Sequence, residues 1–255
     1  MTVLPPASHA RRAALTVALC AVLTAVLGGC AEEVDPDKGT NGLGKLTAKQ
    51  IEAEAQTAAG RAEAVRLSGT LVSSGASYKL NMRLKKDGAA GSVATRKSRF
   101  ELLRVGDALY MKAEASFWRQ AEATGEPTKE DIQAAEKLDG KFVKVPQDDP
   151  SYKLFRSFTE KNVLVNGLLT LHGDLHKGDR DSIAGKRTIK VAGGPNGEGG
   201  ALDVSLDGTP YPLRFARGGG AGVVVLTDWD EDFSLDEPEE DQILDYGKKL
   251  PRTSE

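Results

Sequence analysis

The sequence predicts an α+β fold in which a curved antiparallel sheet has its apolar face covered by helices. Three observations carry this. Thr47 and Gln50 have the spacing of a helix capping box. Tyr78, Leu80, Met82 and Leu84 alternate with Lys79, Asn81, Arg83 and Lys85, which is the period of a half-buried strand. Two groups of such strands flank a helical middle, so strands and helices are segregated rather than alternating.

The first helix is expected from Thr47 to about Val65, with Leu46 and Ile51 as its hydrophobic staple and Ile51, Ala55, Ala58 and Ala62 buried. Leu67–Ser73 and Tyr78–Lys85 follow as strands. Ser92–Thr95, Phe100–Val105 and Ala108–Lys112 continue a meander, with "KKDGAAG" and "VGD" supplying turn chemistry. Thr128 is placed to cap a helix ending near Leu138 before Gly140, and Asp149-Pro150 forms an N-cap and first-turn pair for a helix carrying Leu154, Phe155 and Phe158. Val163–Leu171 is apolar enough to be buried as either helix or strand. From Ser182 come "SIAGKRTIKVAG", "ALDVSLDG", "YPLRFARG" and "GVVVLTDWDEDFSL", separated by Gly-rich turns or Asp207-Gly208. On this reading Leu202, Val204 and Leu206 share one face, as do Tyr211, Leu213 and Phe215.

The first 29 residues read as a secretory signal: Arg11-Arg12, an uncharged run of 15 residues from Ala13 to Leu27, then Gly28-Gly29 before Cys30. That run is shorter than the roughly 20 residues a helix needs to cross a bilayer. Leu27-Gly28-Gly29-Cys30 resembles the lipobox of bacterial lipoproteins, which implies cleavage before Cys30 and acylation of its thiol. Residues 30–45 are polar and aperiodic, so they are expected to be a flexible tether, with a single domain over 46–255.

Without residues 1–29 the chain has 226 residues, 32 basic and 37 acidic, for a formal charge of −5. That balance argues against a nucleic-acid partner. Cys20 leaves with the signal and Cys30 is the lipid site, so neither a disulfide nor a cysteine nucleophile is expected.

Asp228, Asp230, Asp232 and Glu239 fit four positions of an EF-hand-type loop, but Phe233 stands where the sharp turn needs glycine. A strand with Val223, Val225, Thr227, Trp229, Phe233 and Leu235 on one parity and the acids on the other accounts for more of the residues, so the carboxylates are expected on its outer face. His172 and His176, four apart, meet only in a helix, and Gly173 with Gly178 favours a solvated loop over a metal site. "GDRDSIAGKRT" has the wrong glycine spacing for a phosphate loop, and neither Gly-x-Ser-x-Gly nor Ser-x-x-Lys occurs. No cofactor, metal or enzymatic activity is expected.

What remains is an aliphatic inward parity: Leu67, Leu71, Leu80, Met82, Leu84, Leu102, Leu109, Met111, Leu202, Val204 and Leu213. These side chains line either a filled core or a cavity for a hydrophobic ligand. The assembly of lipobox, tether, capped helix, strand meander, central helices and second strand group resembles the LppX/LprG-type actinobacterial lipoproteins. The segment from Asp207 to Asp241, with Asp228-Trp229 closing a strand and Pro238 in the tail, is where the resemblance is greatest. It implies the half-barrel of the LolA/LolB-type carriers, a curved antiparallel sheet wrapped over helices around an apolar cavity. It also implies a lipid-anchored protein on the extracytoplasmic face of the cell membrane, binding or carrying an acylated lipid. The alternative is a protein-interaction or sensory lipoprotein with no small ligand.

Overall fold

Thr47 opens the first helix as its capping box requires: its side chain accepts from the Gln50 N–H at 3.4 Å, and Gln50 accepts from the Thr47 N–H at 3.0 Å. The computed structural model describes residues 35–73, 75–121 and 128–244, so the expected signal segment and Cys30 lie outside the described residues. Helix α1 covers Ala48–Arg61 and ends before the expected Val65, because Ala64 and Val65 already pair in the sheet. The meander follows as β1 (Ala64–Ser73), β2 (Ala76–Lys85), β3 (Gly88–Ala94), β4 (Arg99–Val105) and β5 (Ala108–Ala113).

The helical middle holds α2 (Ala115–Ala121), α3 (Lys129–Leu138), the short β6 (Phe142–Lys144), α4 (Pro150–Thr159) and α5 (Lys161–Leu169). Thr128 caps α3 in a box with Asp131, and Asp149 caps α4 by accepting from the Ser151 N–H at 2.8 Å. The ambiguous Val163–Leu171 run is therefore mostly helix α5. The second strand group is β7 (Leu175–Ile183), β8 (Lys186–Gly193), β9 (Ala201–Ser205), β10 (Pro212–Ala216) and β11 (Gly222–Thr227), with β12 (Ile243–Leu244) near the end of the described chain.

The described strands form one open sheet in the order β12-β6-β5-β4-β3-β2-β1-β11-β10-β9-β8-β7, antiparallel except for β12 on β6. Its two halves join where β1 pairs β11. Gly69 and Gly91 stand in adjacent regions of the meander with φ of 150° and 159°. A Cβ there would fall 2.2 Å from the Val223 and Asn81 carbonyl oxygens respectively. Only glycine permits that approach, and such kinks let a wide sheet curl.

Several expectations are corrected. The strand expected to run through the acids ends at Thr227, because Asp228 and Asp230 take left-handed φ of 52° and 62°. The inward parity of β11 is also opposite to the one expected: Val224 and Leu226 are fully buried, whereas Val223 is 46 % exposed. Pairing fixes this phase, since Leu226 faces Leu67 and Val224 faces Gly69. Trp229 and Phe233 still reach apolar surroundings, but through the two left-handed residues that reset the alternation. His172 precedes β7, and His176 lies within it, an exposed edge strand rather than a loop. "SIAGKRTIKVAG" is a hairpin and not one strand; Ala184 and Gly185 have φ of 49° and 78° in its turn.

The expected tether is docked from Asp37 onward. Asn41 donates its N–H to the Leu206 carbonyl at 2.9 Å and its side-chain amide to the Ser205 carbonyl at 3.0 Å, while Leu43 is buried in the core. Arg180 pairs with Asp37 at 2.7 Å. A single leucine among polar residues has no period, which is why this segment reads as a linker.

The acids after β11 act as clasps of a strap crossing the outer side of the meander. Asp228 lies 3.9 Å from Arg66, and Asp232 3.0 Å from Lys85. The Arg83 guanidinium stands 4.8 Å over the Phe233 ring. Further on, Glu237 hydrogen-bonds Tyr110, whose hydroxyl is pushed above its ordinary range by burial and then by that carboxylate.

Gly91→Ala is expected to lower the unfolding free energy by about 2 kcal/mol or more, because its Cβ has no space and its φ suits only glycine. Ala184→Asn, at a hairpin position that favours Asn-Gly, is expected to raise it by about 0.5–1 kcal/mol. Urea denaturation followed by circular dichroism measures both.

Candidate functional site

Register carries the inner face across the sheet in rows. One row runs Leu226, Leu67, Met82, Gly91, Leu102, Met111 and Val143, from β11 to β6. The next runs Val65, Leu84, Ala89, Arg104 and Leu109. In the other half, Ile189, Val191, Leu202 and Val204 extend the same face, and α1 covers it with Ile51, Ala55 and Ala59. Helix α4 contributes Phe155, and α5 contributes Val165, Leu168 and Leu169.

All eleven residues expected to line a cavity are buried, and nine of them expose at most 1 %; Leu71 exposes 8 % and Leu213 6 %. A water-sized sphere therefore reaches almost none of that surface, and the side chains pack against one another and the helices. Ten belong to the contiguous core, while Leu213 is the extra residue of a β-bulge: Pro212 faces Val204 and Arg214 faces Asp203. The bulge also breaks the expected common face of Tyr211, Leu213 and Phe215. One end of the interior is more aromatic than expected, since Phe100 meets Phe155 and Phe117 at 5.5 and 5.6 Å, and Phe117 meets Trp118 at 5.2 Å.

Two buried cations interrupt this apolar face. Arg104, 4 % exposed, holds an inward position of β4 and donates from Nε and Nη2 to the Thr159 carbonyl at 3.2 and 3.0 Å, and from Nη1 to the Gly106 carbonyl at 2.7 Å. Lys161, also 4 % exposed, donates to the Ala59 carbonyl at 3.1 Å and the Gly60 carbonyl at 3.5 Å. Each closes the C-terminal end of a helix, where carbonyl dipoles favour a cation. Burial lowers both pKa values below their ordinary range; Arg156 adds to the effect on Arg104, while Glu63 and Asp230 oppose it on Lys161. Sequence reading passed over both. For Arg104 a signal was present: Phe100, Leu102 and Arg104 share one parity, so a cation occupies an apolar register.

A cavity of about 420 Å³ opens between the end of α1, the β9–β10 connection and the turn after β11, where charged groups of Glu54, Arg61, Glu63 and Asp230 rim a mainly apolar lining that includes Ala58 and Pro210. Tyr211 stacks on Trp229 with centroids 4.7 Å apart, and Trp229 Nε1 donates to the Pro212 carbonyl at 3.0 Å. The Tyr211 hydroxyl donates to the Asp230 carboxylate, whose other oxygen accepts from the Glu63 N–H at 2.8 Å. The three acids of the expected strand face are thus separated: Asp230 joins this turn, while Asp228 and Asp232 hold the strap. Burial, then the Asp230 hydrogen bond and charge, push the Tyr211 pKa up to about 12. A phenol so firmly protonated is a hydrogen-bond donor at neutral pH and not a base.

The architecture defines a class: an open, curled antiparallel sheet wrapped over helices that bury its concave apolar face. Among solved structures, the chain is similar to LprF from Mycobacterium bovis, with 15 % identity over 75 % of this chain and 96 % of that one, at a TM-score of 0.52. It is also similar to the Mycobacterium tuberculosis lipoprotein LppX, at 14 % identity over 74 % and 99 %, with a TM-score of 0.43. An uncharacterized conserved protein from Thermus thermophilus aligns at 9 % identity over 78 % and 98 %, with a TM-score of 0.37. The likeness to LprF establishes the fold expected from the sequence. No protein-family model and no curated protein matches the chain.

The raised Tyr211 pKa has a stability consequence. A group whose folded pKa lies above its unfolded value of about 10 stabilises the fold below that pH and ceases to do so as pH rises through about 12. Tyr211→Phe is therefore expected to be less stable than the parent at neutral pH, with the difference narrowing between about pH 10 and 12. Thermal melts across that range, with tyrosinate absorbance as the titration readout, measure it.

Proposed function

We propose that the protein is a cell-envelope lipoprotein, anchored to the extracytoplasmic face of the membrane through acylated Cys30, that binds or carries an acylated lipid against the inner face of its half-barrel. The observation that carries the reading is the buried row of Leu, Met and Val side chains from Leu226 to Val143 beneath the helices, broken only at Gly91, within a fold shared with LprF. The Leu27–Cys30 lipobox supplies the address, and among the described residues no helix is long and apolar enough to cross a membrane. Acyl chains are recognised by apolar area and shape. Because the inner face is packed, a lipid enters only as the helices move off the sheet, replacing side-chain contacts with acyl contacts.

The close packing also favours a second reading, a protein-interaction or sensory lipoprotein whose core is only structural. Leu80→Trp distinguishes the two. Overfilling this buried site is expected to cost about 1–3 kcal/mol and, on the lipid reading, to abolish lipid occupancy in a protein that remains folded.

Native mass spectrometry of the protein extracted from its envelope in mild detergent is expected to show a bound acylated lipid, removed by Leu80→Trp. A protein that stays empty after incubation with phospholipid overturns the proposal. Cys30→Ala is expected to give an unprocessed or released chain lacking palmitate label; label that persists in this variant overturns the anchor.

A further inference from the structure

We infer that the cavity between α1 and the β9–β10 connection is a binding site for an organic ammonium ion, an amine carried on an apolar body. It is separate from the inner face to which the lipid reading assigns acyl chains. One wall is a stripe of α1, because Glu54, Ala58 and Arg61 lie at i, i+4 and i+7 and so share a helix face. The core takes a different stripe of the same helix, through Ile51, Ala55 and Ala59. The other wall is Thr209, Pro210 and Tyr211, and Glu63 with Asp230 closes one end, where the Glu63 N–H donates to the Asp230 carboxylate at 2.8 Å. The volume of about 420 Å³ falls within the range of small-molecule sites, about 300–1,000 Å³.

The walls and the rim ask for different parts of one molecule. Ala58, Pro210 and the carbon surface of the Tyr211 ring give an apolar body a place out of water. Tyr211 has little else to offer, since one ring face is stacked on Trp229 and its hydroxyl is committed to Asp230. The rim sets the charge. Glu54, Glu63 and Asp230 stand against Arg61, three negative charges to one positive, or −2. Buried Lys161, on which Glu63 and Asp230 act through space, brings the sum only to −1. Among the described residues Glu54, Glu63 and Arg61 form no ion pair within 4.0 Å, so the guanidinium does not discharge the acids. An aromatic ring beside carboxylates is an environment that holds ammonium groups, and the same rim repels an anion of equal shape.

The test titrates the full protein, in a nonionic detergent, with hexylammonium, hexanol and hexanoate and reads saturable binding by isothermal titration calorimetry. The three probes share an alkyl chain and differ in charge. Hexylammonium is expected to bind about tenfold more tightly than hexanol, and hexanoate more weakly than either. The Glu54→Gln, Glu63→Gln double variant is expected to lose that preference, and Arg61→Gln to strengthen it about threefold. Thr57→Trp, which places an indole in the cavity, is expected to remove binding of all three. All four positions are exposed, so these variants leave the core untouched. Equal affinity for hexylammonium and hexanol overturns the ammonium site, as does a preference that survives in the double variant; no saturable binding of any probe overturns the cavity as a site. Each of these failures leaves the lipid reading standing, because that reading concerns the inner face. A free amine and an amine-bearing lipid headgroup share the chemistry, so ethanolamine and detergent-solubilised dioleoylphosphatidylethanolamine are set to compete with hexylammonium. Displacement by the lipid alone assigns the amine to a headgroup, and displacement by neither assigns it to a free amine with its own apolar body. Displacement by an equal concentration of ethanolamine overturns the requirement for that body.

Discussion

The inner row of side chains from β11 to β6 is the constraint on which the rest of the structure depends. Seven strands contribute one residue each to it, and a slip of one residue in any of them turns its apolar set to solvent. Each fully buried aliphatic side chain contributes about 1.5–3 kcal/mol. Register, the choice of inward residues on β11 and the need for covering helices all follow from this one burial requirement. Gly91 is the exception that proves useful: without a side chain, it leaves room for the Met82 sulfur in a sheet that must bend.

That same packing ties fold to proposed activity. A concave face with almost no accessible surface binds a ligand only by parting from its helices, so affinity depends on what the helices lose as they leave. Along α1 and α5 the losses are aliphatic contacts, which acyl chains replace in kind. At the α4–α5 elbow the losses are hydrogen bonds from two buried cations, and apolar chains cannot replace those.

Much of the fold was legible because the sequence is locally consistent. The Thr47, Thr128 and Asp149 caps all form, and the alternation of Tyr78–Lys85 places Leu80, Met82 and Leu84 inward. What escaped depends on partners distant in sequence. The phase of β11 is set by Leu67 and Gly69, more than 150 residues earlier, and alternation along a run of valines is symmetric about one step. The end of that strand depends on two aspartates adopting left-handed backbone, which their side chains tolerate but do not announce. Arg104 and Lys161 were missed because a charge is ordinarily read as solvated, and only the pairing of β4 with its neighbours places Arg104 under α4.

The exposed strand β7 bears on how the sheet meets other chains. An open sheet offers its end strands as templates for other chains, and one end here is already occupied by the two-residue β12 alongside β6. The other end is β7, in which His176, Lys177, Asp179, Arg180 and Asp181 leave little apolar surface and a register shift between Lys177 and Arg180 bends the edge. An incoming strand would have to bury those charges and follow that bend. The stretch holding His176, which first invites a metal reading, is thereby a charged, irregular edge that disfavours strand-by-strand association.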